Sequence, residues 1–247
     1  MINEKGGVGK TTTVINLAAA LAQRHKVLLV DLDPQTNASS GLGVVSTENN
    51  IYDVLSGDIS ARKAIIESNI PNLNILPASP DLAGVSVDIK STAENMKLLD
   101  KSLTAIRPQY DFIIFDTPPS KGVLTINTLV ASNFLIIPLQ TEYYALEGIA
   151  SVIETIKRVK ALLNPNLEIL GILLTMFDIR TKLSQQVEEN VREHFGSTVF
   201  RTIIPRSIRL AEAPSFGQSI FEFEPSSSGA LAYDQLAKEV VNRVREA

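Results

Sequence analysis

Several residue types are scarce or missing, and each absence narrows the possible functions. The 247-residue chain has no cysteine and two histidines, His25 and His194. Without thiolates it cannot carry an iron–sulfur cluster, and two histidines near helix ends do not make a metal site. No run approaches the roughly 18 consecutive apolar residues of a membrane-spanning helix, and no signal peptide precedes the first motif. We therefore expect a cytoplasmic protein with no membrane partner.

The residues that are present fit one sizeable α/β domain. Hydrophobic residues make up 45% of the chain, and its net charge is −4. Apolar runs predict strands at 27–30, 73–76, 112–115, 134–138 and 169–176. Helical periodicity predicts helices at 11–24, 52–55, 61–67, 96–106, 123–131, about 144–163, and 229–244. This alternation predicts a doubly wound, mostly parallel sheet with helices on both faces, and no linker divides residues 1–247 into two domains.

The strongest motif lies near the start, at Lys5-Gly6-Gly7-Val8-Gly9-Lys10-Thr11-Thr12. The glycines let backbone N–H groups turn onto an anion, and the helix that follows points its positive dipole end at the same place. Lys10 would contact the β- and γ-phosphates of a nucleotide, and the Thr11 hydroxyl would bind magnesium. A flexible surface loop is the alternative. Only four residues precede Lys5, so we expect a truncated first strand, from either a late-assigned start or a trimmed chain.

Two further segments place aspartates directly after apolar runs. They are Asp31-Leu32-Asp33-Pro34-Gln35 and Asp116-Thr117-Pro118-Pro119. Parallel strands deliver such residues to the carboxyl edge of a sheet, so Asp31 and Asp33 should face the phosphates. Asp116 has the Walker B arrangement, whose carboxylate holds magnesium, usually through water. The alternative for the first two aspartates is capping of the next helix.

Together these motifs resemble the ParA/MinD/nitrogenase-iron-protein class of P-loop ATPases. Glu4 replaces the first glycine of the ordinary P-loop, and the K-G-G-x-G-K-T-T pattern is similar to the deviant Walker A loop of that class. The resemblance implies an ATPase that uses ATP and Mg²⁺, with Asp33 orienting the attacking water. It also implies a homodimer in which the signature lysine, Lys5, reaches the partner's nucleotide. The lack of cysteine excludes the iron–sulfur members.

The last third of the chain is locally basic. Between Arg180 and Leu210, six cations face three acids, an excess of +3. The cations are Arg180, Lys182, Arg192, Arg201, Arg206 and Arg209, and the acids are Glu188, Glu189 and Glu193. This excess could bind phosphate backbones, although a solvated helix face is the simpler explanation.

Residues 204–217 resemble the P-R-x-x-R-L-x-E-A-P-S-F-G block of Soj-type ParA proteins. The resemblance implies that Arg180, Arg206 and Arg209 bind double-stranded DNA without sequence specificity. It also implies that Met176 and Pro205 flank the adenine.

The whole resemblance implies a nucleoid-associated ATPase that partitions chromosomes or plasmids and is stimulated by a ParB-like partner. No region that could hold a helix-turn-helix precedes the loop, so operator-specific repression is not expected.

One alternative is a MinD-like membrane-cycling ATPase that regulates division-site placement. Residues 236–247 lack the aromatic anchor of a membrane tail, and we expect their apolar face to pack on the sheet. Another alternative is a small-molecule ATP-dependent ligase on the same fold.

Overall fold

The computed structural model has an α/β architecture and describes residues 1–45, 47–85, 89, 92–120, 122–142 and 145–247. Its strands are β1 (Val27–Asp31), β2 (Ile66–Glu67), β3 (Leu73–Leu76), β4 (Phe112–Asp116), β5 (Phe134–Gln140) and β6 (Glu168–Thr175). Its α-helices are α1 (Lys10–Ala22), α2 (Asn37–Gly41), α3 (Ile51–Ser56), α4 (Ala61–Ala64), α5 (Leu98–Leu103), α6 (Val123–Ala131), α7 (Ala145–Leu162), α8 (Lys182–Phe195), α9 (Ile208–Glu212), α10 (Ile220–Phe223) and α11 (Ser228–Glu246). Short 3-10 turns cover Pro80–Gly84, Asn95–Lys97, Arg107–Gln109, Gly196–Thr198 and Ala213–Phe216.

The strands form a mostly parallel sheet in two parts. The first part has the order β2-β3-β1-β4, in which β1 is parallel to both neighbours and β2 is antiparallel to β3. The second part pairs β5 with β6 in parallel. Asp31 at the end of β1 lies level with Asp116 at the end of β4. The fold class predicted from the sequence is confirmed, and its parallel strands bring both aspartates to one edge.

Residues 1–3 lie between β4 and β5 and connect the two parts of the sheet. The Met1 ammonium donates a hydrogen bond to the Phe115 carbonyl at 2.9 Å, and the Ile2 N–H donates to the Ile136 carbonyl at 3.1 Å. Toward the amino ends of these strands, a cavity of about 290 Å³ is lined by side chains that include Phe112 and Phe134. Residues 1–3 belong to no assigned strand, and the truncated first strand stays a prediction.

Helix α11 packs its apolar face on the core beside α1. Tyr233 is fully buried, and its hydroxyl lies 3.2 Å from the Thr13 hydroxyl of α1. Leu236 and Val240 belong to the same buried cluster. The expectation that the last helix packs inward is confirmed. Among the residues listed above as described, we find no helix with the length and hydropathy needed to cross a membrane.

Some predicted elements differ from the observed ones. The helix predicted at 61–67 ends at Ala64, because Ile66 and Glu67 pair with β3 and the sheet pairing overrides the helical pattern. Residues 35–60 contain α2 as well as the predicted short helix. The helix predicted at 96–106 is shorter, since it begins as a 3-10 turn and its α-helical part ends at Leu103. The predicted start of α7 at Tyr144 lies outside the described residues.

Candidate active site

The glycine loop forms an open cradle directly before α1. Gly7 and Gly9 have φ angles of 75° and 84°, which are left-handed conformations that side chains other than glycine rarely adopt. A Cβ atom on Gly7 would meet no atom within 4 Å, so space remains above the loop. The Thr175 hydroxyl at the end of β6 donates to the Val8 carbonyl at 2.9 Å and anchors the loop. The free N–H groups at the start of α1 can therefore receive an anion.

Lys10 and Asp33 are both buried and close enough for their charges to interact. Lys10 is 6% exposed, and its Nζ donates to the Lys5 carbonyl at 3.2 Å. Burial lowers the pKa of Lys10, while the nearby charges of Asp116 and Asp33 raise it. Asp33 is 7% exposed. Three charged groups of both signs thus surround the position where phosphates would lie.

The arrangement of Thr11 and Asp116 fits a magnesium ion. The Thr11 hydroxyl donates to Asp116 Oδ2 at 2.7 Å, and Asp116 Oδ1 is buried without a hydrogen-bond partner. Burial raises the pKa of Asp116 to about 7, with the charge of Asp31 as the second cause. A cation would satisfy the free oxygen and favour the ionised carboxylate. Among the described residues, no group of three or more acidic, histidine or cysteine side chains could hold a metal ion by itself, so phosphate oxygens and water would complete the coordination.

Asp31 does not face the phosphates, which corrects the expectation from sequence. Its Oδ2 accepts hydrogen bonds from the Ser39 N–H and hydroxyl at 2.8 and 2.7 Å. Its Oδ1 accepts from the Asp33 N–H at 3.1 Å. Burial raises the pKa of Asp31 to about 6, and these hydrogen bonds oppose the shift. Asp31 therefore fixes α2 and the backbone of Asp33, as in the helix-capping alternative.

Met176 and Pro205, the predicted adenine contacts, lie on neighbouring segments beside the loop. The Phe177 N–H donates to the Ile204 carbonyl at 3.1 Å, which aligns the two segments. Met176 has a φ of 53°, an uncommon value for a residue with a side chain. A Cβ on Gly9 would lie 3.8 Å from Met176 Cε. Met176 thus lies against the cradle, and its contact with adenine stays a prediction.

Arg180 and Arg206 lie around one carboxylate on the same surface. The Arg180 guanidinium donates to both carboxylate oxygens of Asp178, from Nε to Oδ1 at 2.9 Å and from Nη2 to Oδ2 at 2.7 Å. These hydrogen bonds lower the pKa of Asp178 to about 2, and the charge of Arg206 adds to the effect. Within the described part of the chain, the exposed Arg206 side chain makes no hydrogen bond or ion pair.

Arg209 is the second residue of α9, three residues after Arg206 in the chain. Its guanidinium is 3.0 Å from Glu212 Oε2 and 3.9 Å from Glu224 Oε2. Two carboxylates thus offset its charge. Arg209 is therefore less available for a further anion.

Two contacts of Lys5 could not be predicted from the sequence. Its Nζ lies 2.8 Å from Glu142 Oε2, just beyond β5. Its N–H donates to the buried Asn3 side chain at 2.9 Å. Glu142 belongs to no motif, so only the tertiary structure could identify it. The roles predicted for Lys5, Gly6, Gly7, Val8, Gly9, Lys10, Thr11, Thr12, Asp33 and Asp116 remain predictions.

The site combines a glycine cradle at the start of a helix, a buried lysine, and a Thr–Asp pair at the edge of a parallel sheet. These features define a P-loop nucleotide hydrolase. A protein-family model described as an AAA domain matches residues 1–169. The chromosome-partitioning ATPase Soj of Thermus thermophilus is 50% identical over 249 residues, which cover 100% of this chain and 96% of that protein.

The chromosome partitioning protein ParA of Caulobacter vibrioides is 45% identical, with 99% of this chain and 93% of that protein covered. The crystal structure of cobyrinic acid a,c-diamide synthase from Mycobacterium smegmatis, with bound ADP and magnesium, superposes with a TM-score of 0.87 at 35% identity over 99% of this chain and 93% of that one. The chain belongs to the ParA/Soj family of chromosome-partitioning ATPases. It is a P-loop ATPase whose site is built for ATP and Mg²⁺.

Proposed function

We propose that this protein partitions DNA as an ATP-bound homodimer that binds non-specific double-stranded DNA and is released when a ParB-like protein stimulates hydrolysis. The proposal rests on the separation of two charged regions. Lys10, Asp33 and Asp116 are buried around the phosphate site, whereas Arg180 and Arg206 are exposed on the neighbouring surface. Buried charges suit chemistry on a nucleotide, and exposed cations suit a polyanion. Residues 1–247 act as one domain in this proposal.

Hydrolysis needs a positioned water and neutralised phosphates. Bound Mg²⁺ would neutralise phosphate charge, held by the Thr11 hydroxyl and, through water, by Asp116. Lys10 contacts the β- and γ-phosphates. Asp33 orients the water that attacks the γ-phosphorus, which breaks the bond to the ADP oxygen and yields ADP and phosphate. The buried position of Asp33 keeps this water apart from bulk solvent.

The dimer uses Lys5, whose ammonium is paired with a carboxylate of its own chain. Its Nζ contacts Glu142, and the side chain is 51% exposed, so the ammonium can reach a second copy. We expect Lys5→Ala to bind ATP as a monomer and to fail to dimerise, as measured by light scattering with ATP. Lys238→Ala is the control, since Lys238 is an exposed lysine in an ion pair on α11. Parental dimerisation by Lys5→Ala would refute the role.

DNA binds to the surface formed by Arg180, Arg206 and Arg209. Arg206 ranks first, because Asp178 already engages Arg180 and Glu212 engages Arg209. A dimer presents two copies of this surface on one body, so the two patches bind more tightly together than either does alone. Such binding should weaken steeply with salt and show little sequence preference.

Charge reversal tests the DNA surface. We expect Arg206→Glu to weaken ATP-dependent DNA binding, to flatten the salt slope by about one unit and to leave nucleotide affinity unchanged. Arg62→Glu makes the same charge change on α4 and should have little effect. If the ATP-bound parent has no affinity for DNA at low salt, or if reversing all three arginines changes nothing, the DNA role is wrong.

Nucleoid association follows from DNA binding in this proposal, and ATP turnover should rise when both DNA and a ParB-like protein are added. A MinD-like membrane cycle is disfavoured because Leu236 and Val240 of α11 pack in the core. Co-sedimentation with liposomes or with DNA, each with ATP, separates these functions. ATP turnover with no protein partner and a small-molecule acceptor would favour a ligase.

A further inference from the structure

The ammonium of Lys5 is bound by a carboxylate of its own chain. Lys5 Nζ and Glu142 Oε2 are 2.8 Å apart, and the two side chains are 51% and 48% exposed. Glu142 lies two residues beyond the end of β5. The preceding residue, Thr141, is buried and its hydroxyl bonds the Ser184 hydroxyl at 3.2 Å. The carboxylate therefore extends from a fixed backbone.

Asn3 sets the distance between the two partners. This side chain is 3% exposed. Its Oδ1 accepts from the Lys5 N–H at 2.9 Å, and its Nδ2 donates to the Pro138 carbonyl of β5 at 2.8 Å. One buried amide thus joins the start of the glycine loop to the strand that leads to Glu142. The Lys5 carbonyl is also bound, by Lys10 Nζ at 3.2 Å, so the Lys5 side chain is the part of the residue left free to move.

We propose that Glu142 is a positioning residue that holds Lys5 on its own subunit and sets the ATP and protein concentrations at which the dimer forms. This inference rests on the proposed ATP-bound dimer. An exposed ion pair is weak and exchanges readily. The phosphates of a partner's nucleotide carry several negative charges in a site that excludes water, so they displace a single solvated carboxylate. The Lys5 ammonium therefore exchanges from Glu142 to the nucleotide phosphates when a loaded partner is present.

The expected effect is modest because the pair is exposed. Loss of one such ion pair changes the availability of a lysine by roughly 1.5- to 5-fold. A dimer uses two copies of Lys5, so Glu142→Gln should lower the dimer dissociation constant at saturating ATP by roughly 2- to 25-fold. ATP affinity measured below the dimerisation concentration should stay at the parental value. If the lost negative charge acted only through its long-range electrostatic field, the ATP affinity of the monomer would instead rise by the same factor.

A carbodiimide cross-link tests the contact itself. This reagent joins an amine directly to a carboxylate, so we expect a Lys5–Glu142 link in the nucleotide-free parent, detected by mass spectrometry. The link should disappear with a non-hydrolysable ATP analogue at dimerising concentrations. The Asp234–Lys238 pair, at 2.6 Å on α11, should cross-link in both conditions. Absence of the Lys5–Glu142 link without nucleotide, or its persistence in the dimer, would overturn the inference.

The second test measures the dimer dissociation constant of Glu142→Gln at saturating ATP. Asp234→Asn is the control, because it also removes one carboxylate from an exposed ion pair. We expect tighter dimerisation for the first variant and parental behaviour for the second. If the dissociation constant of Glu142→Gln equals or exceeds the parental value, the inference about Glu142 is wrong, but the proposed dimer stands. A parent that stays monomeric at saturating ATP overturns the proposed dimer, and this inference with it.

Discussion

Asp116→Asn should stabilise the nucleotide-free protein while impairing its magnesium site. Asp116 is fully buried, and Oδ1 has no hydrogen-bond partner. Burial raises its pKa from 3.8 to about 7. One pKa unit corresponds to about 1.4 kcal/mol, so keeping the carboxylate ionised costs the fold up to about 4 kcal/mol. The carboxylate also stabilises the nearby ammoniums of Met1 and Lys10, and this favourable contribution is lost in the variant. We therefore expect a net gain of about 2–4 kcal/mol for the amide.

The sign of this effect depends on pH. The carboxyl of Asp116 has a higher pKa folded than unfolded, so its unfavourable contribution begins as pH rises above about 4 and is complete above about 7. Asp116→Asn should therefore unfold roughly 5–15 °C above the parent at pH 8 and close to it at pH 4. Asp111→Asn, at the exposed position directly before β4, serves as the control and should gain nothing.

With bound Mg²⁺ and nucleotide, we expect the parent to be more stable to heat than Asp116→Asn, the reverse of their order without ligand. The parent should gain thermal stability from Mg²⁺ with a non-hydrolysable ATP analogue, because the Asp116 carboxylate would hold the metal through water. The variant should need roughly 10–100-fold more Mg²⁺ for the same gain. Thermal unfolding across pH and Mg²⁺ concentration measures both effects. A variant less stable than the parent at pH 8, or one with the parental Mg²⁺ response, would refute this reasoning.

Three further substitutions test other parts of the site and fold. Lys10→Ala should abolish measurable ATP binding by calorimetry, because charged contacts to the phosphates are lost; normal affinity would refute the P-loop assignment. Asp33→Ala should bind ATP and dimerise but hydrolyse far more slowly, and a parental rate would make Asp33 structural. Gly217→Ala should cost about 2–4 kcal/mol in denaturant unfolding, because φ is 64° and the new Cβ would lie 2.8 Å from Gly43 Cα. Gly57→Ala, where φ is 87° with open space, isolates the backbone strain and should cost only about 1 kcal/mol.

The sequence predicted the parallel sheet and most of its strands, because long apolar runs have few other places to go than a buried sheet. The helix predicted at 61–67 is observed only from Ala61 to Ala64. Ile66 and Glu67 pair with β3, and a two-residue strand has no periodicity of its own. The boundaries of the short helices were also uncertain from sequence, since tertiary packing decides where they end.

The local chemistry of the phosphate cradle was determined by adjacent residues. Glycines that accept positive φ, a lysine and a threonine at the helix start need only their order along the chain to form a P-loop. Asp31 is an exception to this rule. The strand pattern predicted that its carboxylate would face the phosphates, but the carboxylate accepts hydrogen bonds from Ser39 of α2 instead. The tertiary structure alone placed Glu142 beside Lys5, 137 residues away. A motif records covalent neighbours, whereas an ion pair between distant residues depends on how the strands between them pack.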